Sequence, residues 1–287
     1  MNKTYDKITQ VFIDALSEGK IPWHRSWKSC DAMPKNLYSK KEYRGINILV
    51  LGMTGEEWFV TYRQAQMLGG TVVKGAKGLP VVYWNWTEKK NKETGKVEKK
   101  IPFLRYSTVF PVSMTDGLRD RIPETEKAER THTPVEDAEM VLKRNVHERA
   151  VGNPSYCPGD DTIRMPDAGS FDSAEHYYTV YFHELTHWTG SQKRLKRDLS
   201  TLFGSHKYSK EELVAEIGAN FLASECGIDL NVTMENSKAY IQSWIRELKN
   251  DPRLIIEAST QARKATDYLM ERENAYAHRK DKTEKAA

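Results

Sequence analysis

The sequence predicts an α+β protein of two domains: an N-terminal α+β domain, and a C-terminal, mostly helical domain that carries a small sheet. Three observations predict it. Two runs of β-branched and aromatic residues, "LPVVYWNW" and "KIPFLRYSTVFPVS" (100–113), stand close together in the front part and read as a hairpin. Beyond residue 133, stretches with apolar residues at helical spacing follow one another, interrupted by one short strand. Between the two regions, "RDRIPETEKAERTHT" (119–133) has almost no apolar residues and reads as a linker. The expected boundaries are 1–118, a linker at 119–133, a second domain at 134–275 and a charged tail at 276–287.

Each element has a local reason. In "TYDKITQVFIDALSE" (4–18), Ile8, Val11, Phe12, Ala15 and Leu16 form one stripe, and Gly19 with Pro22 ends the helix. "RGINILVLGMTG" (44–55) and "YRQAQMLGG" (62–70) read as short helices closed by glycine, the first largely buried. "TVVKG" is strand-like, and "TEKKNKETGKVEKK" between the two hairpin runs is a charged connection with a Thr-Gly turn. Helix is expected over 134–149, facing inward through Ala138, Val141, Leu142 and Val146. "DTIRMP" (161–166) is a short strand stopped by Pro166. "DSAEHYYTVYFHELTHWTG" opens with Asp172 and Glu175 in capping-box spacing and closes at Gly190, a natural position for a left-handed cap. Further helices are expected at about 209–226, 234–250 and 253–273.

Composition excludes several classes. With 287 residues and 39% hydrophobic content, each domain can bury a core. No apolar run is long enough to cross a bilayer and "MNKTYDKITQ" lacks a signal-peptide core, so the expected location is the cytoplasm, without a membrane partner. Cys30, Cys157 and Cys226 show no CxxC spacing, which argues against a disulfide framework or a cysteine zinc site. Charge is uneven: residues 1–120 hold 20 Lys and Arg against 12 Asp and Glu, so +8, whereas the remainder holds 24 against 28, so −4. Five tryptophans (Trp23, Trp27, Trp58, Trp84, Trp86) lie in that basic part. Cations that follow a phosphate backbone and rings that stack on bases suit single-stranded nucleic acid; the plainer reading is a basic surface over an aromatic core.

The chemistry is concentrated in "HELTH". His183 and His187 are four apart on a helix, so both imidazoles project from one face and can hold one Zn²⁺, with Mn²⁺ or Co²⁺ as alternatives for the same donors. Glu184 is turned by about 100° from His183, near enough to reach a metal-bound water as general base without ligating the metal. A catalytic zinc site needs a third protein ligand. In "EELVAEIGANFLASE", Glu212 and Glu216 share a face with Ala215, Ala219 and Ala223, small residues that allow close approach of the two helices. Glu212, Ala215 and Glu216 match the ExxA(D/E) pattern of zincins, which makes Glu212 the ligand and Glu216 the carboxylate that hydrogen-bonds a ligand histidine. The reverse assignment is the alternative, because Glu216 also precedes "AN". Glu211 points elsewhere and is expected in solvent. The implied reaction is peptide hydrolysis, with "DTIRMP" aligning a peptide by edge pairing. Tyr177, Tyr178, Tyr181 and Tyr208 are the available hydroxyls for an oxyanion, and Arg194 and Arg197 serve either as partners of carboxylates or as binders of an acidic substrate.

In the front part, candidate contacts for DNA are Trp23, Arg25, Trp27 and Lys28 of "IPWHRSWK", Tyr43 and Arg44 of "YRGIN", Tyr62, Arg63 and Gln64 of "WFVTYRQAQ", and Lys74 and Lys77 of "VVKGAKG". Gly75 and Gly78 would let backbone amides approach a phosphate beside those lysines.

Taken in order, "YDKITQVFIDALSEGKIPWHRSWK", "YRGINILVL", "WFVTYRQAQMLGGTVVKGAKGLPVVYW", "YSTVFPVSMTDGL", "YCPGDDTIRMPDAGSFDSAEHYYTVYFHELTHWTG", "RLKRDL" and "EELVAEIGANFLASECGI" resemble the ArdC-type antirestriction proteins of conjugative plasmids and mobile elements. The resemblance spans nearly the whole chain. It implies an N-terminal single-stranded DNA-binding domain, a C-terminal zincin-like metallopeptidase domain acting on a protein substrate, and protection of incoming plasmid DNA from restriction. One departure is "VFPVSMTDGL", which lacks an asparagine after the phenylalanine and a glutamine before the threonine. Two rival readings differ in class: a DNA-binding antirestriction module whose metal site is structural or vestigial, and a housekeeping peptidase whose front domain selects protein substrates.

Overall fold

The computed structural model describes residues 3–23, 33–90, 97–124, 132–145, 149–199, 206–229 and 238–271. They gather into two compact units, one drawn from residues 1–22, 31–127 and 241–256, the other from 23–30, 128–240 and 257–287. The architecture is α+β, as expected. The units cross the sequence order twice: Trp23 groups with the second, and the segment 241–256 with the first.

In the first unit, α1 (Lys3–Ser17) buries Ile8, Phe12 and Leu16 on one stripe, and Thr4 Oγ1 donates to the Leu104 carbonyl at 3.4 Å. Thr9 Oγ1 donates to the Pro252 carbonyl at 2.6 Å, a tie that accounts for the C-terminal segment in this unit. The main sheet runs β1 (Lys35–Asn36), β2 (Trp58–Thr61), β5 (Val97–Pro111), β4 (Leu79–Lys90) in spatial order, with β1 parallel to β2 and the other pairs antiparallel. A second, two-stranded sheet joins β3 (Thr71–Val72) to β6 (Thr115–Asp116). Helix α2 (Ile46–Gly52) is buried through Ile46, Ile48, Leu49, Val50 and Leu51. Its Asn47 amide grips β4 from both sides, donating to the Val82 carbonyl at 2.8 Å and accepting from the Val82 N–H at 2.7 Å. Helix α3 (Tyr62–Met67) starts in a capping box formed by Thr61 and Gln64.

The hairpin is longer than expected. Strands β4 and β5 stay paired from Leu79↔Val109 to Lys89↔Lys99, so most of the charged connection is itself strand. Cross-strand pairing outweighs the low strand propensity of lysine and glutamate there. The Thr-Gly turn lies outside the described residues. Within the expected linker, Arg119–Arg121 forms a short 3-10 turn.

In the second unit, α4 is described over Pro134–Asn145, Val146 lies outside the described residues, and Arg149, expected as the last helical residue, opens a strand instead. Strands β7 (Arg149–Val151), β8 (Ser155–Cys157) and β9 (Thr162–Met165) form a sheet in the order β7-β9-β8. Helices α5 (Ala174–Thr189), α6 (His206–Cys226) and α8 (Leu254–Leu269) complete the unit, and α7 (Lys238–Asn250) precedes α8 in the chain. Ile163 and Met165 of β9 meet Tyr181, Phe182 and Leu185 of α5 and Leu222 of α6 in one core. Helix α5 is capped by Ser173, whose hydroxyl accepts from the His176 N–H at 3.1 Å, rather than by Asp172. Gly190 is right-handed, φ −72°. It is needed for space instead: a Cβ there would lie 2.8 Å from Leu199 Cδ2.

Candidate metal centre

The centre depends on how closely α5 and α6 approach. At Gly218 of α6 a Cβ would lie 2.6 Å from the Thr186 side chain of α5, so only glycine permits this spacing, and Ala215, Ala219 and Ala223 continue the small-residue face. Within one turn of Thr186, α5 carries His183, Glu184 and His187, and α6 carries Glu211, Glu212 and Glu216 in the turns before Gly218.

His183 Nε2 and His187 Nε2 are 3.2 Å apart, and the Glu212 carboxylate places Oε2 3.5 Å from the first and Oε1 3.4 Å from the second. Donors about 2.0–2.1 Å from a tetrahedral zinc stand about 3.3–3.4 Å from one another. These three groups therefore have the spacing of a tetrahedral site with one corner left over, and their ligand atoms lie within 4.8 Å of one another. The residues fit a divalent cation.

The other side of each imidazole faces a carboxylate as well. His187 Nδ1 lies 3.2 Å from Glu211 Oε1, which fixes Nδ1 as the proton-bearing nitrogen and leaves Nε2 for the metal. His183 Nδ1 faces Glu216 Oε1 at 3.6 Å, longer than a hydrogen bond. Glu211 is not in solvent as expected: it is 8% exposed. Arg197 holds it, donating from Nη2 to Oε1 at 2.9 Å and from Nε to Oε2 at 3.1 Å. The same guanidinium donates to the Thr189 hydroxyl at 2.9 Å and the Thr186 carbonyl at 2.6 Å, so the loop after α5 is tied back onto the helix that bears the histidines.

Electrostatics matches this geometry. Burial disfavours charge on His187, yet hydrogen bonds to Glu211 and Glu212 outweigh it and hold its imidazole up to about 10. Burial also opposes charge on His183, and the Glu212 hydrogen bond with the Glu216 charge raises it nonetheless. Burial alone would raise the Glu212 carboxyl, but its hydrogen bonds to the two histidines hold it well below the usual carboxylate range. Burial pushes Glu216 up. The cluster attracts positive charge, a role that protons fill in the metal-free chain and a divalent ion takes over on binding.

Glu184 and the three donor residues line one cleft of about 310 Å³, together with Tyr156 and Leu199. Tyr156 and Leu199 were not among the sequence candidates, since nothing in the local pattern of "SYC" or "RDLS" marks them. Tyr177, Tyr178 and Tyr181 are buried against one another and belong to the core, with Tyr178 Oη donating to Glu139 at 2.8 Å. The Tyr208 side chain lies outside the described residues. Arg194 and Arg197 both serve carboxylates, Asp161 and Glu211 respectively. The strand of "DTIRMP" cannot offer an edge, because β9 is the middle strand; the outer strand beside the cleft is β8.

The nucleic-acid candidates scatter. Trp23 is fully buried at 0% exposure, which excludes it as a stacking platform. Arg25, Trp27 and Lys28 lie outside the described residues. Asn36 Nδ2 joins Tyr43 Oη at 3.0 Å to Gln64 Oε1 at 2.9 Å, so these two candidates meet through a residue the sequence did not mark. Tyr62 is 55% exposed, and Arg44, Arg63, Lys74 and Lys77 are exposed. Gly78 serves packing rather than phosphate approach: a Cβ would lie 2.3 Å from Thr108 Cγ2. The hairpin adds Trp84, 57% exposed, with Tyr83 and Tyr106.

Comparison with known proteins bears on both parts of the chain. A family model described as a zincin-like metallopeptidase matches residues 136–261, and one described as the N-terminal domain of anti-restriction factor ArdC matches residues 2–110. The metal-free structure of the antirestriction ArdC protein from the R388 plasmid is 35% identical, with a TM-score of 0.74, covering 93% of this chain and 96% of that one. Its Mn(II)-bound structure matches at 34% identity and a TM-score of 0.73, covering 93% and 97%. The protein y4eC of Sinorhizobium fredii is 31% identical over 287 residues, 92% of this chain and 91% of that protein. DNA primase TraC of Escherichia coli is 36% identical over 295 residues, 93% of this chain. The chain spans only 27% and 20% of the lengths of the two TraC primases it matches. Fold and site thus define a protein with a zincin-like metallopeptidase domain behind an ArdC-type N-terminal domain. The chain belongs to the ArdC family of antirestriction proteins.

If Glu211 orients His187, Glu211→Gln weakens divalent-metal binding about 10- to 100-fold in a chelator-competition titration, and it also lowers the melting of metal-free protein because Arg197 loses its buried carboxylate partner. Arg197→Met leaves the Glu211 charge buried without its partner and lowers stability by about 3–5 kcal/mol in denaturant titration.

Proposed function

We propose that this chain is an antirestriction protein of a mobile element that binds single-stranded DNA through residues 1–118 and hydrolyses peptide bonds at the centre carried by residues 134–275. The observation that carries the hydrolytic part is the convergence of His183, His187 and Glu212, with Glu184 on the wall of the same cleft. Zn²⁺ held there supplies Lewis acidity, polarising a carbonyl and acidifying a water. Glu184, on the cleft wall beside those donors, is the base that would accept a proton from water and return it to the leaving amine. Glu211 and Arg197 keep the His187 ring in place, and Glu216 stands behind His183. The substrate chain extends along β8, whose outer side no strand pairs among the described residues, so its backbone groups are available for edge pairing. That the R388 relative is an antirestriction protein solved with Mn(II) supports both the role and a divalent ion.

For the DNA part, support comes from the basic front half and its exposed rings. Trp84 and Tyr106 are diagonal neighbours on one face of the hairpin, with Lys7 Nζ 4.3 Å from the Tyr106 ring centroid. Rings and cations on one surface suit stacked bases and their phosphates.

Glu184→Gln lowers the rate of cleavage of a peptide substrate at least about 100-fold while metal and oligonucleotide affinities stay within about threefold. Full protection against restriction by that variant would show that hydrolysis is not the antirestriction activity. In fluorescence polarisation, Trp84→Ala weakens single-stranded oligonucleotide binding about tenfold, the value of about one base stack. Trp23→Ala instead lowers stability by about 3–5 kcal/mol and leaves the salt dependence of binding unchanged.

A further inference from the structure

A second cavity, of about 350 Å³, adjoins the metal cleft and shares Tyr156, Pro158 and Leu199 with it. Ser191 and Gln192, from the loop that follows α5, form the far wall. Two arginines belong to this loop, and both are already bound. Arg194 pairs with Asp161, donates from Nε to the Trp188 carbonyl at 2.6 Å and lies 3.7 Å from the Trp188 ring centroid. Arg197 is held by Glu211, as described above. The Tyr156 hydroxyl turns to the same polar group, donating to Asp161 at 2.9 Å and accepting from Arg194 Nη2 at 3.3 Å. What Tyr156 offers the cavity is therefore its ring. The remaining charged lining residues, Lys193 and Asp198, are exposed and of opposite sign.

The geometry points to a specificity pocket that receives a bulky apolar side chain, aromatic or branched aliphatic, next to the bond held at the metal. Three features select that occupant. The wall shared with the metal cleft consists of a phenol ring, a proline ring and a leucine, which reward buried hydrocarbon. Among the described lining residues each cation already faces a carboxylate, Arg197 on Glu211 and Lys193 on Asp161 at 3.3 Å, so an acidic side chain would lose its hydration for little new pairing. The loop is tied at two points, to Asp161 and to Glu211, so the pocket is formed before substrate arrives and little ordering entropy opposes binding. The assignment rests on the hydrolytic reading for its orientation, with the pocket on one side of the scissile bond.

The test uses zinc-loaded protein and a series of peptide hydroxamates differing in one side chain: benzyl, isobutyl, methyl and carboxymethyl. Affinity is read by competition or calorimetry, and matched peptides with Phe, Leu, Ala or Asp at that position are assayed for cleavage. Benzyl and isobutyl compounds should bind about tenfold or more tightly than methyl, and carboxymethyl no better than methyl. Ser191→Met, which fills the far wall, should remove the benzyl advantage without changing zinc stoichiometry, and Leu199→Ala should reduce it. Equal affinities across the series, or carboxymethyl the tightest, would overturn the pocket. A benzyl preference without cleavage of any peptide would sink the hydrolytic reading and leave the pocket standing. Cleavage without a side-chain preference would do the reverse.

Discussion

Everything in the metal centre depends on α5 and α6 lying close enough for side chains of ordinary length to meet at one point. That closeness is a steric fact about Gly218 and Thr186, where no Cβ can be inserted, extended along the helices by Ala215, Ala219 and Ala223. A histidine pair on one helix is only a bidentate site. The second helix supplies Glu212 as the third donor, Glu211 behind His187 and Glu216 behind His183. Three carboxylates around two imidazoles would repel one another in a buried place, and Arg197 with its five donors neutralises one of them. The remaining excess of negative charge is what a divalent ion offsets.

Much of this was legible because the relevant signals are local. Helical period placed His183 and His187 on one face, and the ExxA(D/E) spacing brought Glu212 and Glu216 into view. The amphipathic stripe of α1 and the two β-rich runs of the hairpin announced themselves through apolar spacing alone. What escaped depends on pairing between distant segments. Glu211 reads as solvated when α6 is considered alone; it becomes buried only because Arg197 folds back from the loop after α5. The "DTIRMP" strand reads as an edge until β7 and β8 are seen on its two sides, and three-residue strands leave almost no periodic trace. Trp23 sits among basic residues that suggest a nucleic-acid surface, yet neighbours in sequence do not decide burial.

The two halves of the chain divide their electrostatic labour. The front residues carry an excess of +8, with Trp84, Tyr83 and Tyr106 exposed on a hairpin rich in lysine. The back residues carry −4, and several of those carboxylates surround the His183 and His187 imidazoles. Positive and negative excess thus lie at different ends of the sequence, in a chain that joins a zincin-like domain to an ArdC N-terminal domain.

The convergence of three side chains on one cation is the claim from which the enzymatic reading descends. Titration of metal-free protein with Zn²⁺ against a chromophoric chelator tests it most directly. One tightly bound equivalent is expected, lost on His183→Ala and on Glu212→Ala, and only weakened on Glu216→Ala. Stoichiometric binding that survives both of the first two substitutions would place the ion elsewhere and contradict the account.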